Sequence, residues 1–178
     1  MKELERTYLA KFLPDGLEDC PSKEIFDIYI PAPMAHPKIR IRKNGDKYVI
    51  IKKTAVKEGD YSEFLEQPIE LSEEEFLGLK DMAGKRLRKI RYDYDCDGQK
   101  AEVDVFLDDL AGLVLVDFEF ENTNDKNVYQ MPDFCLAEVT NAGFTAGGML
   151  CGKSYEDIEN KLVEFNYSRI EAKEESGK

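Results

Sequence analysis

The sequence has no apolar run approaching the roughly 20 residues that a membrane span needs, so no membrane contact is expected. It has no basic stretch followed by an apolar one, and no signal peptide is expected either. His36 is the only histidine, and the four cysteines (Cys20, Cys96, Cys135 and Cys151) form no CxxC pair. That argues against a structural zinc site, and four unpatterned thiols suit a reducing cytoplasm. Lysine and arginine are outnumbered, 25 to 37, by aspartate and glutamate. The resulting formal net charge of −12 argues against non-specific binding to DNA or other nucleic acid. An anionic ligand is still allowed, because a local cluster of arginine and lysine can outweigh the global sign.

What the sequence does have is the composition of one globular domain. Its 178 residues are 42% hydrophobic and 35% charged, enough to bury a core. The expected organisation is a domain over 1–168 and a polar tail over 169–178. Short strands dominate. "KIRIRKNGDKYVIIKK" is a hairpin turning at Asn44-Gly45, and "KIRYDYDCDGQKAEVDVF" a second turning at Asp97-Gly98. "AGLVLVDFEFEN", residues 3–12 and "KEIFDIYIP", ended by Pro31, are further strands. Two helices are expected. In "LSEEEFLGLKDMAG", Ser72 and Glu75 form a capping box, Leu71 staples Phe76, and Gly84 closes the helix. In "SYEDIENKLVEFNY", Ser154 caps a helix whose apolar stripe is Ile158, Leu162 and Phe165. Cys135 and Cys151 are expected in or near the core, and His36, in a proline-flanked segment, on a surface loop.

Charge is patterned along the strands. Side chains alternate between faces of a strand, so residues i and i+2 lie on one face about 6.6 Å apart. Glu3 and Glu5 share a face, as do Arg40 and Arg42, Lys89 and Arg91, Glu102 and Asp104, and Asp117, Glu119 and Glu121. The residues between them are mostly apolar. One reading is an open antiparallel sheet with a wet, salt-bridged face. The other closes the sheet into a barrel with the charges inside. Like charges in such a lumen repel and lose solvation, so they need guests: divalent cations for the carboxylates and a polyanion for the arginines and lysines. Periodicity alone leaves both sheets open.

In order along the chain, "ELERT", "IRIRKNGDKYVIIKK", "KIRY", "AEVDVF", "GLVLVDFEF" and "AEVT" resemble the CYTH domain, also called the triphosphate tunnel metalloenzyme family. They are similar to its ExExK strand, its RxR hairpin ending in Thr-x-Lys, its central strands and its late EVT strand. The resemblance implies an α+β fold built on an eight-stranded antiparallel closed β-barrel, or tunnel, with helices packed outside. It also implies a divalent-metal-dependent hydrolase of inorganic tripolyphosphate or an organic triphosphate, using Mg²⁺ or Mn²⁺. By the same likeness, Glu3, Glu5, Asp117 and Glu119 would be metal ligands. Arg40, Arg42, Lys53, Lys89 and Arg91 would bind the phosphates, Tyr29 and Lys53 would be catalytic, and Glu66, Glu102, Asp104 and Glu138 would be further tunnel acids.

The chain departs from the family pattern in several places. Thr7 replaces the lysine of ExExK that works with the tyrosine at position 29, and Lys11, about 13 Å further along the strand, is a poor substitute unless the strand bulges. Ile51 replaces the threonine of Thr-x-Lys, and Ser62 and Phe64 replace the first two charges of RxExE. "AGGMLCGKS" echoes a phosphate loop through Gly147, Gly152, Lys153 and Ser154, but without the strand–helix alternation that such a loop needs it reads as a loop and helix cap. A lid with Lys153 facing the phosphate is the minority reading. The functional alternatives are an adenylate cyclase of the same family and a catalytically weak polyphosphate- or nucleotide-binding module. The expected partner is a small-molecule triphosphate, for a cytoplasmic monomer or homodimer.

Overall fold

The computed structural model of the chain describes residues 2–171. Nine strands form one antiparallel sheet: β1 (Lys2–Ala10), β2 (Ser22–Ile30), β3 (Ile39–Asn44), β4 (Lys47–Lys57), β5 (Asp60–Leu71), β6 (Lys85–Cys96), β7 (Gln99–Phe106), β8 (Val114–Glu119) and β9 (Cys135–Glu138). The first eight close on themselves in the order β1-β8-β7-β6-β2-β3-β4-β5, with β5 returning to β1. Among the described residues the closure is made by three residue pairs, Lys2 with Leu65, Glu3 with Phe64 and Leu4 with Glu63. Beyond them β9 takes over the same edge of β1, with a register shift between Leu9 and Ala10. Closure is the sheet in which the charged face turns inward. Residues directly opposite across a ladder share a face, so the pairings Thr7–Asp117, Glu102–Asp117, Arg91–Asp104, Asp27–Arg42 and Lys53–Glu66 carry the charge pattern around the lumen.

The outward faces are apolar and covered. Tyr8, Val103, Val116 and Phe118 pack with Phe134 on one side. Ile28 and Ile41 pack with Phe76 of α1 (Glu73–Leu79) on another. Helix α1 has the expected capping box, with Ser72 N–H donating to Glu75 at 2.7 Å and Glu75 N–H to the Ser72 hydroxyl at 3.2 Å. It ends at Leu79, so Gly84 is not its terminator. Gly84 is needed for close approach: a Cβ there would lie 2.5 Å from Ile28 Cγ2 and 3.0 Å from the Tyr29 carbonyl. Gly84→Ala is expected to cost about 1–3 kcal/mol by overpacking against β2, read as a lowered urea midpoint at unchanged slope; an unchanged midpoint would refute it.

The inward face changes character along its length. Leu9, Leu87, Phe106 and Leu115 continue the lumen rows of β1, β6, β7 and β8, but at one end of the barrel they merge into an apolar core. Leu150 of α3 (Gly147–Leu150) and Tyr155, Ile158 and Leu162 of α4 (Tyr155–Val163) complete that core. Ser154 caps α4 as expected, through a box with Asp157. Two helices escaped the sequence reading: α3, and α2 (Thr123–Val128), capped by Asn122. Of the tail expected over 169–178, Arg169 pairs with Glu156 at 2.8 Å and the Ile170 N–H donates to the Gly112 carbonyl at 3.0 Å. Residues 172–178 lie outside the described residues. Cys135 and Cys151 are buried, and no described helix is long and apolar enough to cross a membrane.

Candidate active site

The lumen holds a cavity of about 490 Å³. Among the described residues, nine carboxylates and six lysines and arginines line it. Glu3 and Glu5 come from β1, Asp117 and Glu119 from β8, Glu102 and Asp104 from β7, and Lys89 and Arg91 from β6. Arg40 and Arg42 come from β3, Lys53 from β4, Glu66 from β5 and Tyr29 from β2. All of these were expected inside on strand alternation and resemblance, and the closed sheet brings them together.

The basic residues are held by internal acids. Arg42 makes a bidentate pair with Asp27, both contacts at 2.7 Å. Arg91 donates to both oxygens of Asp104 at 2.7 and 2.6 Å, bonds Glu102, and lies 3.6 Å from Asp117. Lys89 bonds Asp104 as well. Arg40 donates to Glu66 at 3.1 Å and to the Tyr29 hydroxyl at 3.2 Å. Lys53 Nζ lies 3.0 Å from Glu5 Oε2 and 3.1 Å from Glu3 Oε2. Its ammonium also sits 4.1 Å above the centre of the Phe64 ring, one of the residues that interrupts RxExE. Planar guanidinium groups fixed in this way present their remaining N–H bonds to an oxyanion with little reorganisation.

Two expectations, for Glu138 and His36, need correction, and the readings of Lys153 and Lys11 are decided in favour of no role in the lumen. Glu138 lies outside the cavity: on short β9 it accepts from Thr140 at 2.8 Å and pairs with outward-facing Arg6 at 3.5 Å. Lys153 does not face the lumen; among the glycine-rich residues Gly147 and Gly148 line it instead. His36 is not on an open surface loop but half-buried at the cavity wall, packed so closely on Gly148 that a Cβ there would lie 2.6 Å from its ring. Lys11 is exposed beyond the end of β1, so it replaces nothing, although the strand does shift register just before it. Thr7, the residue in the lysine's place, donates to Asp117 at 2.7 Å, and its N–H donates to the Thr140 hydroxyl at 3.1 Å. Tyr29 therefore meets an arginine rather than a lysine. Sequence reasoning missed Asp27, Thr140 and Thr145 as cavity residues. A search for charged pairs passes over a single aspartate in "IFDIYI", and nothing in the local pattern marks the threonines.

The acids fall into two electrostatic groups. Burial alone would raise Asp27 and Asp104, but the adjoining Arg42, and Arg91 with Lys89, outweigh it and hold both carboxyls below their ordinary range. Glu5, Asp117 and Glu119 are shifted the other way. Burial, opposed by Lys53 and reinforced by Asp117, pushes Glu5 up to about 7. Burial and the charge of Asp104 raise Asp117, and burial with Glu102 and Glu3 raises Glu119. Burial is the leading cause for all three, and neighbouring carboxylates add to it. Their donors are all carboxylate oxygens, which suit a hard divalent cation such as Mg²⁺ or Mn²⁺. Among the described residues no three acidic, histidine or cysteine side chains are gathered at ligand distance. The Lys53 ammonium occupies the space between Glu3 and Glu5, as a stand-in cation.

No model of a known protein family matches the chain. The inorganic triphosphatase of Nitrosomonas europaea is 32% identical to it over 143 residues, which span 79% of this chain and 90% of that protein. The crystal structure of an inorganic triphosphatase superposes with a TM-score of 0.63 at 25% identity, covering 85% of this chain and 95% of the other. A Bacillus halodurans protein at 13% identity shares the fold with a TM-score of 0.51 over 98% of this chain and 96% of its own.

Proposed function

Since the chain belongs to the CYTH, or triphosphate tunnel metalloenzyme, family and is a triphosphate hydrolase, we propose that its substrate is inorganic tripolyphosphate, cleaved with Mg²⁺ or Mn²⁺. The observation that carries this reading is the lumen itself. Charges of both signs line it, and of its rings Phe64 lies beneath Lys53, Phe106 beneath Lys89, and the Tyr29 hydroxyl accepts from Arg40. Such a wall favours a guest that carries charge along its whole length.

In this reading Glu3, Glu5, Asp117 and Glu119 hold the divalent cation. When bound, the cation supplies positive charge to the phosphoryl oxygens. Arg40, Arg42 and Arg91 bind those oxygens through guanidinium edges that Glu66, Asp27 and Asp104 hold in place, and Lys89 and Lys53 add point charges. Phosphoryl transfer needs little covalent participation from the protein, so rate comes from alignment and from charge set in advance against the transition state. A water attacks the terminal phosphorus in line, a P–O bond forms, the bridging P–O bond breaks, and diphosphate leaves. Tyr29, buried and raised further above the ordinary phenol range by that burial, stays protonated and positions Arg40. Thr7 orients Asp117.

The test is phosphate release from tripolyphosphate, ATP and thiamine triphosphate with Mg²⁺, with Mn²⁺ and with chelator. Metal-dependent release, with the highest kcat/KM for tripolyphosphate, is expected. Cyclic AMP from ATP, or thermal stabilisation by tripolyphosphate without turnover, would overturn the reading in favour of a cyclase or a binding module. Glu138 provides an internal control. Being outside the lumen, it is expected to tolerate Glu138→Gln with kcat/KM within about twofold of the parent, and a tenfold loss would return it to the site.

A further inference from the structure

Lys53 differs from the other lumen cations. Arg42 is held by Asp27, Arg40 by Glu66, and Lys89 and Arg91 by Asp104, acids that have positioning roles in the reading above. Lys53 alone among the described lysines and arginines of the cavity is bonded to the carboxylates of Glu3 and Glu5. Two carboxylates on one strand face repel, and in a half-buried lumen they need a cation between them. Here the chain supplies it. The nearest alternative acid is Glu66, 4.0 Å away, which is already bonded to Arg40. The Phe64 ring holds the ammonium from the remaining side. A divalent cation and this ammonium cannot both occupy the space between Glu3 and Glu5.

We propose that Lys53 is an intramolecular competitor for the metal site: its ammonium neutralises Glu3 and Glu5 in the free protein, the divalent cation displaces it, and displacement makes it available to phosphate. The proposal rests on the reading of Glu3 and Glu5 as metal ligands. Metal and phosphate binding are then coupled through one side chain that can serve only one of them at a time. By linkage the coupling is reciprocal: the metal improves phosphate binding by freeing Lys53, and phosphate improves metal binding by retaining it. Phosphate arriving without metal would draw Lys53 away and leave the two carboxylates uncompensated, so the lumen disfavours a bare anion. The resident ammonium keeps the empty site tolerable, at the expense of metal affinity.

The decisive measurement is Mn²⁺ binding without any phosphate, followed by the electron paramagnetic resonance signal of the free ion. The parent protein, Lys53→Met, Lys53→Arg, Glu3→Gln/Glu5→Gln and the triple variant are compared. Lys53→Met is expected to bind Mn²⁺ about tenfold more tightly than the parent, and Lys53→Arg, which keeps the charge, to stay close to it. The glutamine variants should bind weakly whether or not Lys53 is present. Unchanged or weaker binding by Lys53→Met, with the glutamine variants still defective, would overturn the competitor role while leaving the metal site intact. Tight binding by the glutamine variants would overturn the metal site itself. Should Lys53→Met fail to fold, the parent protein gives the answer. Its Lys53 Cε resonance, assigned by comparison with Lys53→Arg, must move on addition of Mg²⁺ alone, and a stationary resonance refutes displacement.

Discussion

Glu3→Gln/Glu5→Gln is expected to abolish the proposed tripolyphosphate hydrolysis, with kcat/KM lower by about 10³-fold or more, while the barrel stays folded. Metal-supplied charge is worth several kcal/mol in the transition state, and each 1.36 kcal/mol is a factor of ten in rate. Glutamine keeps the shape and one oxygen of each side chain but removes the charge that, in the proposed reading, would hold a divalent cation. Stability is expected to fall less than for a fully buried pair, because Lys53 keeps the Phe64 ring and lies 4.0 Å from Glu66. In the free protein Glu5 is pushed up to about 7, chiefly by burial, so its ionised form is disfavoured by the fold. Replacing it with a neutral amide relieves that penalty, which offsets part of the loss of the bonds to Lys53. Phosphate release with Mn²⁺ and thermal unfolding, measured on the same preparation, check both halves. Hydrolysis within tenfold of the parent would exclude these glutamates as metal ligands, and a collapsed melting temperature would make them structural.

The largest loss of stability is expected from Asp27→Asn. Asp27 is 1% exposed and Arg42 9%, and the two make two contacts at 2.7 Å. Removing one partner of a buried pair strands the other charge, at a cost of about 3 kcal/mol or more. The pH dependence has a definite sign. Burial would raise the Asp27 carboxyl, but Arg42 outweighs it, and the folded-state pKa lies below the ordinary 3.8. The stabilisation is therefore fully present above about pH 4 and fades as pH falls through the folded value. Urea denaturation at pH 7 should separate parent and variant widely, and the gap should narrow below pH 4. A gap that is small at pH 7, or that widens in acid, would contradict the assignment. Because Asp27 also orients Arg42 towards the lumen, the variant should lose hydrolysis at temperatures where it is still folded.

Much of this site was legible because strand periodicity is simple. Once Glu3 and Glu5 share a face with Leu4 behind them, the face is decided for the whole strand, and the same holds for Arg40/Arg42 and Lys89/Arg91. Periodicity could not decide whether the sheet closes, since an open wet face carries the same pattern. The ordered resemblance along the chain settled that choice. The failures have local physical causes. Glu138 was misplaced because β9 is four residues long and pairs with β1 beside a register shift, so its alternation does not follow from the residues before it. Asp27 was passed over because a lone acid among isoleucines and aromatics announces no face. The change of the lumen from charged to apolar at Leu9, Leu87, Phe106 and Leu115 is visible in each strand, but only the assembled sheet shows that these four meet. Helices α2 and α3 are too short for a period of 3.6 to register.

The ladder that closes the barrel has a mechanical consequence. Among the described residues, neighbouring strands elsewhere in the barrel are joined by five or more residue pairs, whereas β1 and β5 share three, and Glu3 is the middle one. A short ladder opens more readily than a long one. The barrel is then a hoop with one weak weld, and one of the carboxylates that faces the lumen sits on the weld itself. Whatever bridges Glu3 to its neighbours, the Lys53 ammonium or an arriving cation, also acts as a clamp across the join. Backbone amides at 2–4 and 63–65 should exchange with solvent faster than those of the β6–β7 ladder, and slow when Mn²⁺ is added. Equal exchange across both ladders would mean that the join is as strong as the rest of the hoop.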